Sequence, residues 1–138
     1  GPCLCSSKVV CSPSTVQAHL GQNVVLSCRV EPPSDLRAET LEWKHGPDVV
    51  HVYQRGGDNS DDQDPRFKGR TSLLHQNLKD GNVSLTLIKV TKKDEGNYIF
   101  CLPQQVMCSN VTLTVGNCFT MFCLFILSSY VKFFLPHE

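Results

Sequence analysis

Several things are missing from this 138-residue chain, and each absence closes a class. It has no charge excess: 13 Lys and Arg stand against 13 Asp and Glu. Without a basic arm or stripe there is no electrostatic case for nucleic acid. It has no C-x-x-C pair and no closely paired histidines, so its eight cysteines lack zinc spacing. It has no nucleophile elbow, no zinc-protease helix and no P-loop. Nothing here supports an enzyme, so no catalytic residue, metal or cofactor is assigned. No internal repeat and no long helical periodicity appear. The chain is long enough for one domain with a short remainder.

What is present is cysteine at high density. Without metal spacing, that density points to an oxidising compartment. Two N-x-[ST] sequons agree with it, at Asn82 and Asn110. Alternation predicts that Val83 and Val111 face inward, which turns both asparagines toward water and makes them candidate glycan sites.

The organising pattern is Cys28, then Trp43 fifteen residues later, then Asp94-Glu95-Gly96-Asn97-Tyr98 leading to Cys101. Two cysteines about seventy residues apart, with a lone Trp between them and a Tyr before the second, mark an immunoglobulin-type β-sandwich. Short strands follow with period-2 alternation. Val24, Leu26 and Cys28 face inward, as do Leu41 and Trp43, then Val83, Leu85 and Leu87, and finally Val111, Leu113 and Val115. Residues 49–53 read as an added strand and residues 70–74 as another. Residues 56–65 read as a solvated loop. The added strand and the long Trp43–Cys101 stretch predict the variable type. The fold class is therefore all-β: an immunoglobulin-like sandwich of variable type with an apolar C-terminal tail. Trp43 and Tyr98 are the expected core residues. Tyr98 is expected to make a tyrosine corner.

Residues 9–116 form the predicted domain. Residues 1–8 start at Gly1 and read as a leader or the remnant of a signal peptide. Residues 117–138 form the tail. Its apolar run starts at Cys118 and ends at Leu135, eighteen residues interrupted by Lys132. A spanning helix needs about 20 apolar residues, so the run reads as a short or truncated membrane anchor. A removed anchor signal fits less well, because the polar spacer of such signals is missing. A gene-modelling artefact is the remaining reading.

Residues 21–116 resemble the variable-type domain of the butyrophilin and myelin-oligodendrocyte-glycoprotein group. The matching stretches are Leu41-Glu42-Trp43, residues 49–53, residues 63–73, residues 80–85 and residues 94–98. The resemblance implies a domain shown at the cell surface or secreted. It also implies a receptor or counter-ligand on immune cells, and control of T-cell activation and cytokine production. Other readings are a homophilic adhesion module of the myelin type, which makes a homo-oligomer, and a secreted decoy. The resemblance further implies an Arg70–Asp94 salt bridge. The expected binding surface is the outer face of the sheet with its hairpins: Glu42, Lys44, Tyr53, Arg55, Gln104 and Gln105, within the loop 103–107.

One departure from the family matters. The family has its second framework cysteine two residues after the Tyr, where this chain has Phe100. If Tyr98 and Phe100 face inward, Cys101 faces outward. Two pairings stay open. A bulge in the strand swings Cys101 back to Cys28, with Cys11 and Cys108 as a second pair. This is the favoured pairing. The rival joins Cys101 to Cys108 across their hairpin and leaves Cys28 a buried thiol. Finally, the acidic residues 58–64 suggest calcium. They lack the Gly at the sixth place and the distant Glu of an EF-hand loop, so a solvated turn is the better reading.

Overall fold

The computed structural model describes residues 7–117. The chain alternates short apolar-patterned runs with turn residues, and these become eleven strands. They are β1 Lys8–Cys11, β2 Thr15–His19, β3 Val24–Leu26, β4 Cys28–Glu31, β5 Leu41–His45, β6 Asp48–Gln54, β7 Gly57–Asp58, β8 Thr71–Leu73, β9 Leu85–Leu87, β10 Gly96–Leu102 and β11 Met107–Gly116. The front sheet has the order β2-β11-β10-β5-β6-β7, with β2 parallel to β11 and every other pair antiparallel. The back of the sandwich is built from β3-β9-β8 and the pair β1-β4.

The inward residues of both layers bury together. Val24, Leu26, Cys28 and Val30 come from β3 and β4, Leu85 and Leu87 from β9, and Leu41 and Trp43 from β5. Tyr98 and Phe100 on β10, with Val111, Leu113 and Val115 on β11, complete the set. Trp43 lies at the centre. Its indole nitrogen donates to the Val83 carbonyl at 3.1 Å, which ties the front sheet to the back through a buried hydrogen bond. A buried Trp needs such a partner for its N–H.

The cysteine pairing differs from the favoured one. Cys28 bonds Cys11, and Cys101 bonds Cys108. Neither Cys28–Cys101 nor Cys11–Cys108 forms, and Cys28 is not a free thiol. The reason lies in the register of β10. It runs from Gly96↔Leu113 to Leu102↔Met107 without a shift, so no bulge turns Cys101 inward. Phe100 keeps the inward place instead. It is fully buried, pairs with Trp43 across the β10–β5 ladder, and packs against it in a tilted arrangement with ring centroids 5.4 Å apart. A bulge would pull this ring off Trp43, and burying a Phe side chain is worth about 1.5–3 kcal/mol. Both disulfides join residues directly opposite each other, Cys11↔Cys28 and Cys101↔Cys108, with Cα atoms 4.0 Å and 4.2 Å apart. Each staples strands within one layer. Among the described residues no disulfide crosses between the layers.

The stretch 56–65, expected as loop throughout, contains the short edge strand β7. Arg55 and Gly56 have φ of 54° and 81° and form a two-residue turn between Gln54 and Gly57. Positive φ at both central residues is the type I′ pattern, which matches the twist of the strands it joins.

Candidate recognition surface

The outer face of the front sheet follows from the register. One row across the sheet reads Cys108, Cys101, Glu42 and Val52. The next reads Asn110, Ile99, Lys44 and Val49. These side chains alternate with the buried ones and are exposed or half-buried. Glu42 and Lys44 approach each other at 4.0 Å, and each keeps a substantial part of its side chain in water. Such a surface pair is worth little to stability, roughly 0–1 kcal/mol. Ile99 is the member that sequence reasoning missed. Its signal was present, since it follows the inward Tyr98.

The predicted site residues do not all reach this face. Tyr53, expected as a binding residue, is buried at 2% exposure. Its register partner is the buried Leu41, so it shares the inward face, and its hydroxyl donates to the Arg37 carbonyl at 2.7 Å. Its polar tip is satisfied inside, which removes it from the surface. Arg55 is exposed at the β6–β7 turn. Gln104 and Gln105 are exposed in the β10–β11 hairpin, where the Gln104 side-chain oxygen accepts from the Thr40 backbone N–H at 3.3 Å. Both sequon asparagines are exposed. Asn110 sits on the outer face of the front sheet, beside Ile99. Asn82 lies on the back, bridged to Arg29 of β4, and its side chain accepts from the Ser84 N–H at 2.9 Å.

One end of the sandwich is held by a buried polar cluster. Arg70 reaches Asp94 with both terminal guanidinium nitrogens, at 2.9 Å and 2.7 Å, and Asp94 is 2% exposed. Asp94 also accepts from the Thr91 N–H at 2.8 Å, and its carbonyl accepts from the Tyr98 hydroxyl at 2.5 Å. Burial, with the Asp94 charge beside it, pushes the Tyr98 hydroxyl above its usual range. The Tyr98 ring stacks on His45 at 4.6 Å, and His45 contacts the Glu95 carbonyl at 2.9 Å through Nε2. Gly96 is required here. Its φ is 133°, and an added Cβ would sit 2.7 Å from His45 Nε2.

In the acidic stretch 58–64, the side chains of Asp58, Asn59 and Asp64 are engaged in bonds within the domain. Asp58 Oδ1 lies 2.8 Å from Nε2 of both His51 and His75. Burial raises the Asp58 pKa, but the bonds from His51 and His75 outweigh it and leave the carboxyl below its ordinary value. Asn59 accepts from the Asp61 N–H, and Asp64 from the Arg66 N–H at the start of the 3-10 turn Pro65–Phe67. Among the described residues no group of three or more His, Cys, Asp or Glu is placed to hold a metal. Nor is any helix there long and apolar enough to cross a membrane. The run 118–135 lies outside the described residues.

A two-layer β-sandwich with a Trp-centred core, a tyrosine corner and an edge extended by β6 and β7 defines a variable-type immunoglobulin domain. The chain matches the immunoglobulin V-set domain over residues 11–116 and belongs to that family. Myelin-oligodendrocyte glycoprotein of Homo sapiens is 35% identical over 85 residues, covering 60% of this chain and 34% of that protein. The chain thus spans about a third of the length of that relative. The crystal structure of bovine butyrophilin aligns with a TM-score of 0.72 and 23% identity, over 80% of this chain and 55% of that one; this is a likeness of fold. A chain in the crystal structure of ICOS in complex with ICOS-L aligns with a TM-score of 0.64 and 26% identity, over 74% of this chain and 54% of that one.

Proposed function

We propose that this domain is displayed outside the cell, at its surface or in secreted form. There it binds a protein receptor or counter-ligand on immune cells and adjusts T-cell activation and cytokine production. The observation that carries the reading is the front sheet. Its outward residues, Glu42, Lys44, Ile99, Cys101 and Cys108, are exposed or half-buried, and the exposed β6–β7 and β10–β11 turns stand together at one end of it. A broad, mixed polar and apolar β-face suits a protein partner. A chain of similar fold occurs in the crystal structure of ICOS in complex with ICOS-L and an anti ICOS-L VNAR domain, and recognition between two proteins is the use carried over here. Asn82 and Asn110 carry N-linked glycans in this reading, one on each layer of the sandwich.

The test uses the full chain, made in a secretory mammalian host, biotinylated and tetramerised. It is screened against a panel of lymphocyte-receptor ectodomains on cells. A saturable signal on one receptor is expected. No receptor binding, together with concentration-dependent self-association in sedimentation, would replace this reading with homophilic adhesion.

A further inference from the structure

We propose that the back layer of the sandwich holds carbohydrate: the core of the Asn82 glycan lies in a groove on the outer side of β3 and β9 and covers the exposed Val25 and Leu74. The sugar closes this face and leaves the front sheet as the one open to protein partners. This rests on the glycan reading above and adds where the sugar lies and what it does.

The groove is made by the outward residues of the back layer. Val25 of β3 and Ser72 of β8 both pair with Thr86 of β9, so one row of outward side chains crosses the layer. Beside it opens a groove of about 300 Å³, the lower end of the range for ligand sites. Val25 and Leu74 are its apolar walls, Ser27, Asn77, Ser84 and Thr86 its polar ones, and Asn82 completes the lining. Val25 is 50% exposed and Leu74 56%. Four large apolar side chains are exposed among the described residues, and two of them meet here. A single exposed aliphatic residue is ordinary. A pair walling one groove is the kind of apolar patch that marks a binding surface.

The chemistry of the occupant follows from the lining. None of it is charged, so an ionic ligand finds no counterpart. Hydroxyls and amides that donate and accept, set beside two aliphatic groups, match a neutral sugar. Its hydroxyls and N-acetyl group bond the first, and the C–H face of its ring lies on the second. A smaller groove of about 140 Å³ also includes Asn82, but the charged Arg29 lines it. The attachment point is fixed. The Asn82 N–H donates to the Asn77 carbonyl at 3.2 Å, the Val83 N–H to the Cys28 carbonyl at 3.0 Å, and the Ser84 N–H to Asn82 Oδ1 at 2.9 Å. The last bond holds the side chain by its oxygen and leaves Nδ2 without a partner among the described residues. Nδ2 is the atom that takes a glycan. One Nδ2–H bond gives way to a bond with C1 of N-acetylglucosamine. The donor, an oligosaccharide on a lipid pyrophosphate, loses its C1–O bond to phosphate; the lipid pyrophosphate leaves with the electron pair, and the proton passes to a base. From Asn82 to Thr86 is about 13 Å of extended chain, a span that the paired N-acetylglucosamine units of the core cover. A sugar tethered in the lining of its own groove is always near it, and a fixed stem loses little freedom when the sugar settles.

The test makes the full chain in a mammalian secretory host that keeps glycans in the oligomannose form. Glycopeptide mass spectrometry reads occupancy at Asn82. Hydroxyl-radical footprinting then compares three forms. They are the glycoprotein, the same protein trimmed by an endoglycosidase that leaves a single N-acetylglucosamine, and Ser84→Ala, which ends the sequon but keeps the backbone N–H bonded to Asn82. Labelling of Val25 and Leu74 is expected to be severalfold higher in Ser84→Ala than in the glycoprotein, with the trimmed form between them. Leu20, which lines neither groove, is expected to label equally in all three. An unoccupied Asn82 overturns the glycan reading and this proposal together. An occupied Asn82 with equal labelling of Val25 and Leu74 in all forms means that the glycan stands in water; the glycan reading then survives and this proposal falls. Protection that tracks protein concentration rather than the sugar assigns the groove to a second copy of the chain and overturns the proposal as well.

Discussion

The two ends of strand β10 are secured by opposite means. At its start, Asp94 and Tyr98 lie in a buried cluster with Arg70, Thr91 and His45, where the Asp94 carboxylate takes both terminal nitrogens of Arg70 and the Thr91 N–H, and the Asp94 carbonyl takes the Tyr98 hydroxyl. At its end, the Cys101–Cys108 disulfide, the turn bond from the Val106 N–H to the Pro103 carbonyl and an exposed bond from the Thr40 N–H to Gln104 hold a tip whose residues 103–106 stand in water. The first end is stable because its groups have nowhere else to go: removing one leaves another unpaired and dry. The second is stable because the chain is covalently closed, so its residues need not be held by packing. A strained, apolar Val106, 89% exposed at φ 51°, is tolerable only at the second kind of end.

The sharpest way to break this contrast is Asp94→Ala. It leaves the Arg70 guanidinium, whose side chain is only 21% exposed, without its carboxylate, and it frees the Thr91 N–H. Removing one partner of a buried pair costs roughly 3–5 kcal/mol, a large share of the roughly 5–15 kcal/mol that holds a domain together. Denaturant unfolding measures it. A loss near that of a surface ion pair would show that this end is no more interlocked than the other.

The disulfides come next. In the chain-entropy picture, the cost of losing a staple depends on the loop it closes. Cys11 and Cys28 are 17 residues apart in sequence, and Cys101 and Cys108 are 7 apart. Paired Cys→Ala replacement should therefore cost about 3 kcal/mol at the first bond and about 2.5 kcal/mol at the second, both below Asp94→Ala. If the Cys101–Cys108 pair proved the costlier of the two, the hairpin would be bearing on the core as well as on its own tip.

Tyr98→Phe sharpens the comparison through pH. The hydroxyl donates to the Asp94 carbonyl, and losing that bond should cost about 1–3 kcal/mol at neutral pH, since the carbonyl stays buried. The folded state also holds the phenolic proton more tightly than the unfolded chain does. With the folded pKa raised, the contribution is fully present below about pH 10. It is lost as the pH climbs from there through the folded value. Alkaline unfolding of the wild type should show this loss, and Tyr98→Phe should lack that component. Identical alkaline profiles would mean that the hydroxyl is not held as described.

How much of this was legible in the sequence divides along the same line. Alternation placed Val24, Leu26, Cys28, Trp43, Leu85 and Val111 inward, and all are buried, because a period of two depends only on neighbours along one strand. It also carried the sign that Cys101 faces outward, through Phe100. The family expectation of a central tie outweighed that sign, although the buried Phe100–Trp43 pair is what fills the centre. What the sequence did not carry was pairing between strands. Tyr53 reads as a surface anchor until its register with Leu41 is known, and the β5–β6 ladder shifts between Trp43 and Lys44. Cys11 reads as a neighbour of β11 until the first strand divides into β1 on the back layer and β2 on the front.

The smallest expected effect is at Gln104, and it bears most directly on what holds the tip. Its side-chain oxygen accepts from the Thr40 N–H at 3.3 Å, in an exposed setting 64 residues away in sequence. Water can replace an exposed partner at little cost, so Gln104→Ala should change stability by no more than about 0.5 kcal/mol. It should still leave a local trace. Hydrogen exchange at the Thr40 amide should quicken, while amides in the middle of β10 keep their protection, since those open only with the sheet. A stability loss above about 1 kcal/mol would put Gln104 in the same class as the buried bonds around Asp94. The tip would then be held by interlocking hydrogen bonds rather than by its disulfide, and the freedom to place a strained Val at its end would need another source.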